Sequence, residues 1–210
     1  MLETITGPYG DYDKFEYDNQ NRLTKYSKYD RNGELLETRT LIYSGNDLVK
    51  VGFNSDELYD FTKSGNKITT YGPQTWDLNS NGQLSKYVAE IGSNSQVINY
   101  LYQNGNIVQF TYVYNYETGD MFEVNNEYKY DDKKTPMYNC TTPQWYLIYS
   151  FMDISTMNNM TERKSSFDTN IETVTHAYEF DSDGYPTKCT TTTSSNDSKE
   201  ITEFAYIVVN

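Results

Sequence analysis

Residues 178–188, Tyr-Glu-Phe-Asp-Ser-Asp-Gly-Tyr-Pro-Thr-Lys (YEFDSDGYPTK), are written again, with variations, from one end of the chain to the other. Tyr178 and Phe180, two apart, fall on one face of a strand, Asp181 to Gly184 is turn chemistry, and Pro186 with Lys188 opens the next strand. The same order reads without a gap from Phe15 to Lys25 (FEYDNQNRLTK) and from Trp76 to Lys86 (WDLNSNGQLSK). Leu41 to Lys50 (LIYSGNDLVK) and Tyr100 to Gln109 (YLYQNGNIVQ) are shorter in the turn. Tyr128 to Tyr138 (YKYDDKKTPMY) keeps the Pro but not the Lys, and Tyr59 to Thr69 (YDFTKSGNKIT) is a looser copy. Each cassette predicts a hairpin corner, and the chain as a whole a succession of hairpins.

Between the cassettes lie further turn signals: Arg31-Asn32-Gly33, Asn54-Ser55-Asp56, residues 92–95, residues 117–120 and residues 194–198. The strands predicted between the two sets of turns cover 2–6, 14–18, 22–30, 34–43, 47–53, 58–62, 67–71, 75–79, 83–90, 96–103, 106–116, 121–130, 159–165, 171–181, 186–193 and 200–208. So many short antiparallel strands curl rather than lie flat. The expected fold is a single all-β domain over 1–210, its hairpins forming a strongly curved sheet, a half-barrel or open barrel. One segment breaks the pattern. Thr142 as N-cap, Pro143 at the first helical position, and Trp145, Ile148, Phe151 and Met152 at helical spacing predict one short helix at 143–152, with a strand as the alternative. Its apolar stripe is too wide for solvent and is expected to plug the concave face or one end of the sheet.

The formal net charge of −13 repels phosphate backbones and anionic lipid surfaces, so nucleic acid is excluded as an expected partner. Twenty-two Tyr among abundant Asn, Thr and Ser suit wet strand faces and point to an extracytoplasmic setting, the periplasm or outer cell surface. The sequence has no apolar run long enough for a membrane helix, and Met1-Leu2-Glu3-Thr4 is not a signal peptide, so a leader for export is expected to be absent from this chain. Cys140 and Cys189 are an even pair that an oxidising compartment could join, or two ordinary reduced thiols.

The cassettes YEFDSDGYPTK and FEYDNQNRLTK resemble the YD repeats of bacterial Rhs and wall-associated shell proteins, whose unit has the form Y-D-x-x-G-R-L-T. The fuller pattern, YDDKKTPM at Tyr130 to Met137, then an apolar segment, Asn158-Asn159 and the last cassette, is similar to a family of secreted β-rich lipoproteins of Gram-negative gut bacteria. That resemblance covers the chain from Phe15 onward. It implies an exported all-β protein, often lipid-anchored through an N-terminal Cys absent here, and carries over no catalytic residues. The Arg of the YD unit stands only at Arg22; Gln83 and Tyr185 replace it elsewhere.

His176 is the one histidine, which restricts Ser/His/Asp and Cys/His schemes to His176 itself; beside Val174, Tyr178 and Phe180 it reads as a packed strand residue. No CxxC, HxH or HExxH spacing occurs, so no metal or other cofactor is expected. Asp181-Ser182-Asp183-Gly184 and Gly10-Asp11-Tyr12-Asp13 begin like calcium loops but lack the later ligands, and turn chemistry accounts for both. Lys25, Lys50, Lys86 and Lys188 read as outward lysines that blunt sheet edges.

The aromatic excess carries the functional expectation. Phe110, Tyr112, Tyr114 and Tyr116 line one face of a strand, opposite Phe122, Val124, Tyr128 and Tyr130 of its hairpin partner. Such a ladder stacks sugars or grips a peptide, or else serves as cross-strand packing. The expected function is a non-enzymatic exported binding or scaffold module whose partner is a glycan or a surface protein, including a partner strand added to a sheet edge. Membrane contact is expected only through a lipid anchor outside this chain. The alternative is a carbohydrate-active enzyme using an Asp/Glu pair.

Overall fold

The computed structural model describes residues 1–54, 57–195 and 198–208. The first half of the chain forms β1 (Leu2–Thr6), β2 (Tyr12–Tyr17), β3 (Leu23–Tyr29), β4 (Leu35–Ser44), β5 (Asp47–Phe53), β6 (Glu57–Asp60), β7 (Thr62–Ser64), β8 (Lys67–Thr69) and β9 (Gln74–Leu78). The second half forms β10 (Leu84–Ile91), β11 (Asn94–Gln103), β12 (Asn106–Asn115), β13 (Met121–Lys134), α1 (Gln144–Ser155), β14 (Asn158–Phe167), β15 (Asn170–Phe180), β16 (Pro186–Thr193) and β17 (Lys199–Tyr206). The predicted strands match these to within a few residues, except that Phe61 divides the stretch after Glu57 in two. The turns expected at Asn54-Ser55-Asp56 and at 194–198 lie partly outside the described residues.

All seventeen strands belong to one antiparallel sheet. Apart from β6 and β7, each is paired to its neighbour in sequence, and β1 pairs with both β2 and β17, bringing the sheet round on itself. The result is a nearly closed barrel, interrupted where β6 pairs with β5 and β7 with β8. Because successive strands run in opposite directions, the cassette turns all fall at one end of the barrel and the other turns at the opposite end.

The cassette has a physical explanation. At its turn, an Asp or Asn accepts two backbone N–H bonds: Asp18 from Gln20 and Arg22, Asn79 from Asn81 and Gln83, Asp181 from Asp183 and Tyr185, all at 2.9–3.0 Å. Asn21, Gly82 and Gly184, within these turns, take positive φ, which Gly and Asn tolerate best. The Asp181 Oδ1 atom is thus occupied by its own turn, as turn chemistry predicted. Just before the second aromatic, the ladder slips by one residue at Glu16/Tyr17, Ile42/Tyr43, Leu101/Tyr102 and Lys129/Tyr130. The bulge redirects that ring, and its phenol reaches the neighbouring hairpin. Tyr43 donates to the Leu23 carbonyl at 2.7 Å, Tyr102 to Leu84 at 2.8 Å, Tyr130 to Ile107 at 2.7 Å and Tyr206 to Pro186 at 2.7 Å. Each acceptor is the apolar or Pro residue that opens the strand after a cassette turn, so one cassette supplies the carbonyl that a Tyr of the next hairpin or strand satisfies.

Inward positions are apolar: Leu2, Phe15, Leu23, Val51, Ile68, Trp76, Leu84 and Ile107 are fully buried. Outward positions are polar. Lys25 stands opposite Glu16, Lys50 opposite Asp60, Lys129 opposite Glu162 and Lys188 opposite Glu179, with ion pairs of 2.8–3.7 Å. The cassette lysines therefore do not guard free edges as their sequence positions suggested; curvature turned those strands into a paired wall, where each lysine meets an acid across the ladder.

α1 fills the barrel. Trp145, Tyr146, Leu147 and Ile148 are all buried, and Phe151 packs edge-on against Phe15 at 5.6 Å. The helix runs three residues past its predicted end, with a non-helical Phe151 (φ −144°, ψ 40°) inside it. Thr142 is not its cap: Pro143 takes the N-cap position without a side-chain bond. The Thr142 hydroxyl instead accepts from the Leu23 amide at 2.7 Å and meets the Tyr43 phenol at 3.0 Å, fastening the helix to the first cassette.

Candidate functional site

The mouth opposite the cassette turns holds a cavity of about 290 Å³ between α1 and the strands β5, β6 and β9. Phe53 ends β5, Tyr59 and Phe61 flank the break between β6 and β7, Trp76 lies mid-strand in β9, and Tyr146 and Tyr149 project from α1. Alternation along β5 and β9 turns Val51, Phe53, Gln74 and Trp76 inward, while the three-residue step from Tyr146 to Tyr149 puts both rings on one side of the helix. The rings brace one another: Trp76 meets Phe61 at 5.5 Å, Tyr149 at 5.4 Å and Trp145 at 5.8 Å.

Three residues of the cavity wall carry a buried polar atom without a hydrogen-bond partner among the described residues: the Nε1–H of Trp76 and the hydroxyls of Tyr146 and Ser150. Trp76 is 1% and Tyr146 2% exposed, so each is a buried group left unsatisfied, typically worth about 1–3 kcal/mol. Burial pushes the Tyr146 phenol upward, so it is a neutral donor at physiological pH; Arg39 and Ser150 are close enough to oppose that shift, but neither bonds it with hydrogen-bond geometry. The wall thus offers flat apolar rings backed by unpaired polar groups, an arrangement suited to a ring-sized ligand.

Charged groups continue the inner face on β2 to β4. The Arg39 guanidinium lies over the rings of Tyr26 at 5.1 Å, Phe53 at 5.4 Å and Phe151 at 5.8 Å, and pairs with Glu37 at 2.5 Å. The Tyr26 phenol donates to Asp13 at 3.0 Å. Burial raises the Asp13 carboxyl above its ordinary value, with the nearby Asp11 and Glu37 adding to the rise and Tyr26 and Lys28 opposing it.

The predicted ladder is also on the inner face, farther round the wall. Phe110 and Tyr112 pack against the barrel core, Phe110 on Tyr100 at 5.4 Å and Tyr112 on Phe122 at 6.2 Å. Tyr114 meets Tyr116 at 4.9 Å, and Tyr116, past the end of β12, is 46% exposed. Register places Tyr112 opposite Val124 and Tyr114 opposite Phe122, the hairpin that the sequence predicted. These four residues do not line the aromatic cavity.

Both cysteines are free thiols. Folding brings Cys189, thirteen residues away in sequence, to 3.8 Å from His176 Nδ1, which also lies 3.0 Å from the Thr191 hydroxyl. Burial raises the thiol and lowers the imidazole, so both groups are driven to their neutral forms, the reverse of an activated thiolate and imidazolium pair.

Sequence reading missed the cavity because its rings come from four separate elements. The available signal was the pair Tyr59 and Phe61, which kept the aromatic spacing of a cassette in its loosest copy, together with Tyr146 and Tyr149 outside the helical stripe that had been singled out.

No protein-family model matches the chain, and no curated protein matches it. Among solved structures, a porin-like protein from Bacteroides uniformis is similar over 96% of this chain and 94% of that one, at 12% identity and a TM-score of 0.59. A porin-like protein from Bacteroides vulgatus aligns over 99% of both chains at 11% identity and a TM-score of 0.49. The Tc holotoxin pore of Photorhabdus luminescens aligns over 85% of this chain and 11% of that one, at 12% identity and a TM-score of 0.31. The likeness to the Bacteroides uniformis protein is one of fold: a curved antiparallel barrel spanning nearly the whole of both chains.

Proposed function

We propose that this protein is an exported binding module of the periplasm or cell surface, acting without catalysis, and that the aromatic cavity at the barrel mouth is its binding site. The observation that carries the reading is the set of unpartnered polar atoms buried among the rings at Trp76, Tyr146 and Ser150. The ligand presents a flat ring with acceptors beside it, as a pyranose of a surface glycan or an aromatic side chain of a surface protein does. The ladder of Phe110, Tyr112, Tyr114 and Tyr116 adds a second aromatic face within the same reading. Kinship with YD-repeat proteins belongs to the proposal too, supported by the recurring corner geometry of the cassettes.

The porin-like name of the Bacteroides uniformis protein supports an extracytoplasmic setting, but this barrel is arranged unlike a membrane pore. Outer-membrane barrels carry an apolar band outside and water inside, and a Lys or Arg at the lipid midplane costs about 2–4 kcal/mol. Here ion pairs such as Lys129–Glu162 and Lys188–Glu179 face outward, and α1 fills an apolar interior. Membrane contact is accordingly assigned to a lipid anchor outside the barrel, and the −13 charge leaves nucleic acid out of the reading.

The test is a glycan array run with wild type, Tyr149→Ala and the ladder variants Tyr112→Ala and Tyr114→Ala, followed by titration of the two indole N–H resonances by NMR. Tyr149 suits this because it is 39% exposed and its loss leaves the buried rings in place. A ligand that shifts the Trp76 indole signal and is lost in Tyr149→Ala supports the cavity. Binding lost only in the ladder variants moves the site to β12, and an indole signal unmoved by every ring ligand, sugar or aromatic, removes the cavity as a binding site.

A second reading rests on Asp13 and Glu37, a carboxyl raised by burial and a carboxylate paired with Arg39 on one inner face. A carbohydrate-active enzyme would use such a pair as acid and base. It predicts turnover of a bound glycan that Asp13→Asn and Glu37→Gln each abolish; binding without turnover in wild type removes it.

A further inference from the structure

We propose that the break in the barrel wall beside the aromatic cavity docks an extended, basic segment of a partner polypeptide, which pairs with the open edge of β6 and lowers an aromatic side chain into the cavity. This rests on the cavity being a binding site and supplies its partner class.

The edge follows from the register. The Phe61 amide donates to the Val49 carbonyl at 2.8 Å, so Val49 and Phe61 are a hydrogen-bonded pair of the β5/β6 ladder. Hydrogen-bonded pairs alternate in an antiparallel ladder, and in this register the next is Val51 with Tyr59. The N–H and C=O groups of Leu58 and Asp60 therefore point away from β5. On that side the neighbouring hairpin stops short: β7 pairs with β8 only as far as Thr62 with Thr69, and the chain turns back between Thr69 and Gln74. Among the described residues, no strand covers Leu58 and Asp60. Native edges are usually blunted by short length, charged side chains, Pro or bulges; β6 spans four residues and carries Asp60, but no Pro or bulge interrupts it. Here Leu58 is 61% exposed.

The cavity lies directly inside this edge, with Tyr59 and Phe61 on its rim and Thr70 and Gln74 below. An added strand alternates its side chains, so one residue in two faces inward, and about 290 Å³ accommodates an aromatic ring. A sugar fills the cavity but offers no regularly spaced amides to the edge. A polypeptide satisfies both at once.

Charge selects the kind of polypeptide. Beside the break Lys50 pairs with Asp60 and Lys63 with Asp47, both at 2.8 Å, so the choice rests on the −13 that the chain as a whole carries. That net charge favours a segment flanked by Lys or Arg, with association that weakens as salt rises.

The experiment displays a random nonapeptide library to wild type and measures the recovered peptides against wild type, Leu58→Pro and Tyr149→Ala. Proline at Leu58 removes only an N–H that faces the open edge, a position where sheets tolerate it, and an unchanged urea midpoint confirms the fold. The expected peptides carry an aromatic residue between β-branched ones with basic flanks, and bind both variants at least tenfold more weakly. N-methylation of alternate amides in the peptide tests the strand pairing without altering the protein, and is expected to abolish binding in one phase of the alternation only. Binding that Tyr149→Ala removes but Leu58→Pro and N-methylation leave intact overturns the strand pairing while the cavity stands. Glycan binding at the cavity with no peptide recovered overturns the partner class. Peptides that bind equally to all three proteins overturn both the inference and the cavity.

Discussion

Replacing Tyr130 by Phe removes a phenol that donates to the Ile107 carbonyl at 2.7 Å, while Tyr17→Phe removes one that has no partner. The two tyrosines hold the same cassette position, each following a bulge and largely buried, so burial and ring packing cancel in the comparison. What differs is the acceptor. Leaving a buried carbonyl unsatisfied costs about 1–3 kcal/mol, whereas deleting an unpartnered buried hydroxyl relieves a desolvation penalty of similar size. Tyr130→Phe is therefore expected to destabilise by about 2 kcal/mol and Tyr17→Phe to stabilise by about 1 kcal/mol. Tyr43→Phe is expected to lose at least as much as Tyr130→Phe, because its phenol also meets Thr142 at 3.0 Å. Equilibrium urea unfolding followed by tryptophan fluorescence reports the difference, since Trp76 and Trp145 are both buried. With an m-value of roughly 2–3 kcal/mol/M, the two midpoints should separate by about 1 M or more at unchanged m. Midpoints that fall together, or that both stay at the wild-type value, refute the account of the cassette as a repeated phenol-to-carbonyl clasp.

Trp145→Ala removes the ring that joins α1 to Phe61 and Trp76; the resulting cavity should destabilise by about 3–5 kcal/mol, a drop of roughly 6–20 °C by calorimetry, and a smaller loss would show that the barrel holds without its plug. Asp18 and Asp13 should respond oppositely to pH. At Asp18, burial favours the neutral form, but bonds from the Arg22 side chain and the Arg22 and Gln20 amides outweigh it and hold the carboxyl low. Its contribution is present above the unfolded value of about 3.9 and lost as pH falls through the lower folded value, so Asp18→Asn should be less stable than wild type near neutral pH and converge with it in acid. At Asp13 burial raises the carboxyl, so its contribution is complete below about 3.9 and lost as pH rises through the raised folded value. Asp13→Asn should accordingly gain on wild type as pH rises, and urea midpoints from acid to neutral pH that move in parallel for both variants would contradict the two assignments.

The hairpin order, the turn chemistry and the helix were legible because each depends on residues close in sequence. Asp181 caps its own turn within four residues, and Tyr178 with Phe180 marks a strand face by spacing alone. The cap at Thr142 was misread for a long-range reason: its hydroxyl is drawn to Leu23, over a hundred residues away, and a local rule cannot weigh that competitor. The cassette lysines were misread similarly, because whether a strand is an edge depends on whether the sheet closes. The aromatic alternation of Phe110, Tyr112 and Tyr114 was legible because the three lie on one strand, and the cavity was missed because its rings do not.

By itself, the sequence determined an all-β chain of consecutive hairpins with one buried helix, since alternation and turn propensity act over a few residues. Only the tertiary structure decided that β1 meets β17, that the wall breaks at Phe61 and that six rings converge there. Closure depends on curvature summed over seventeen strands, a bulge and a twist at a time, and no single stretch of sequence contains that sum.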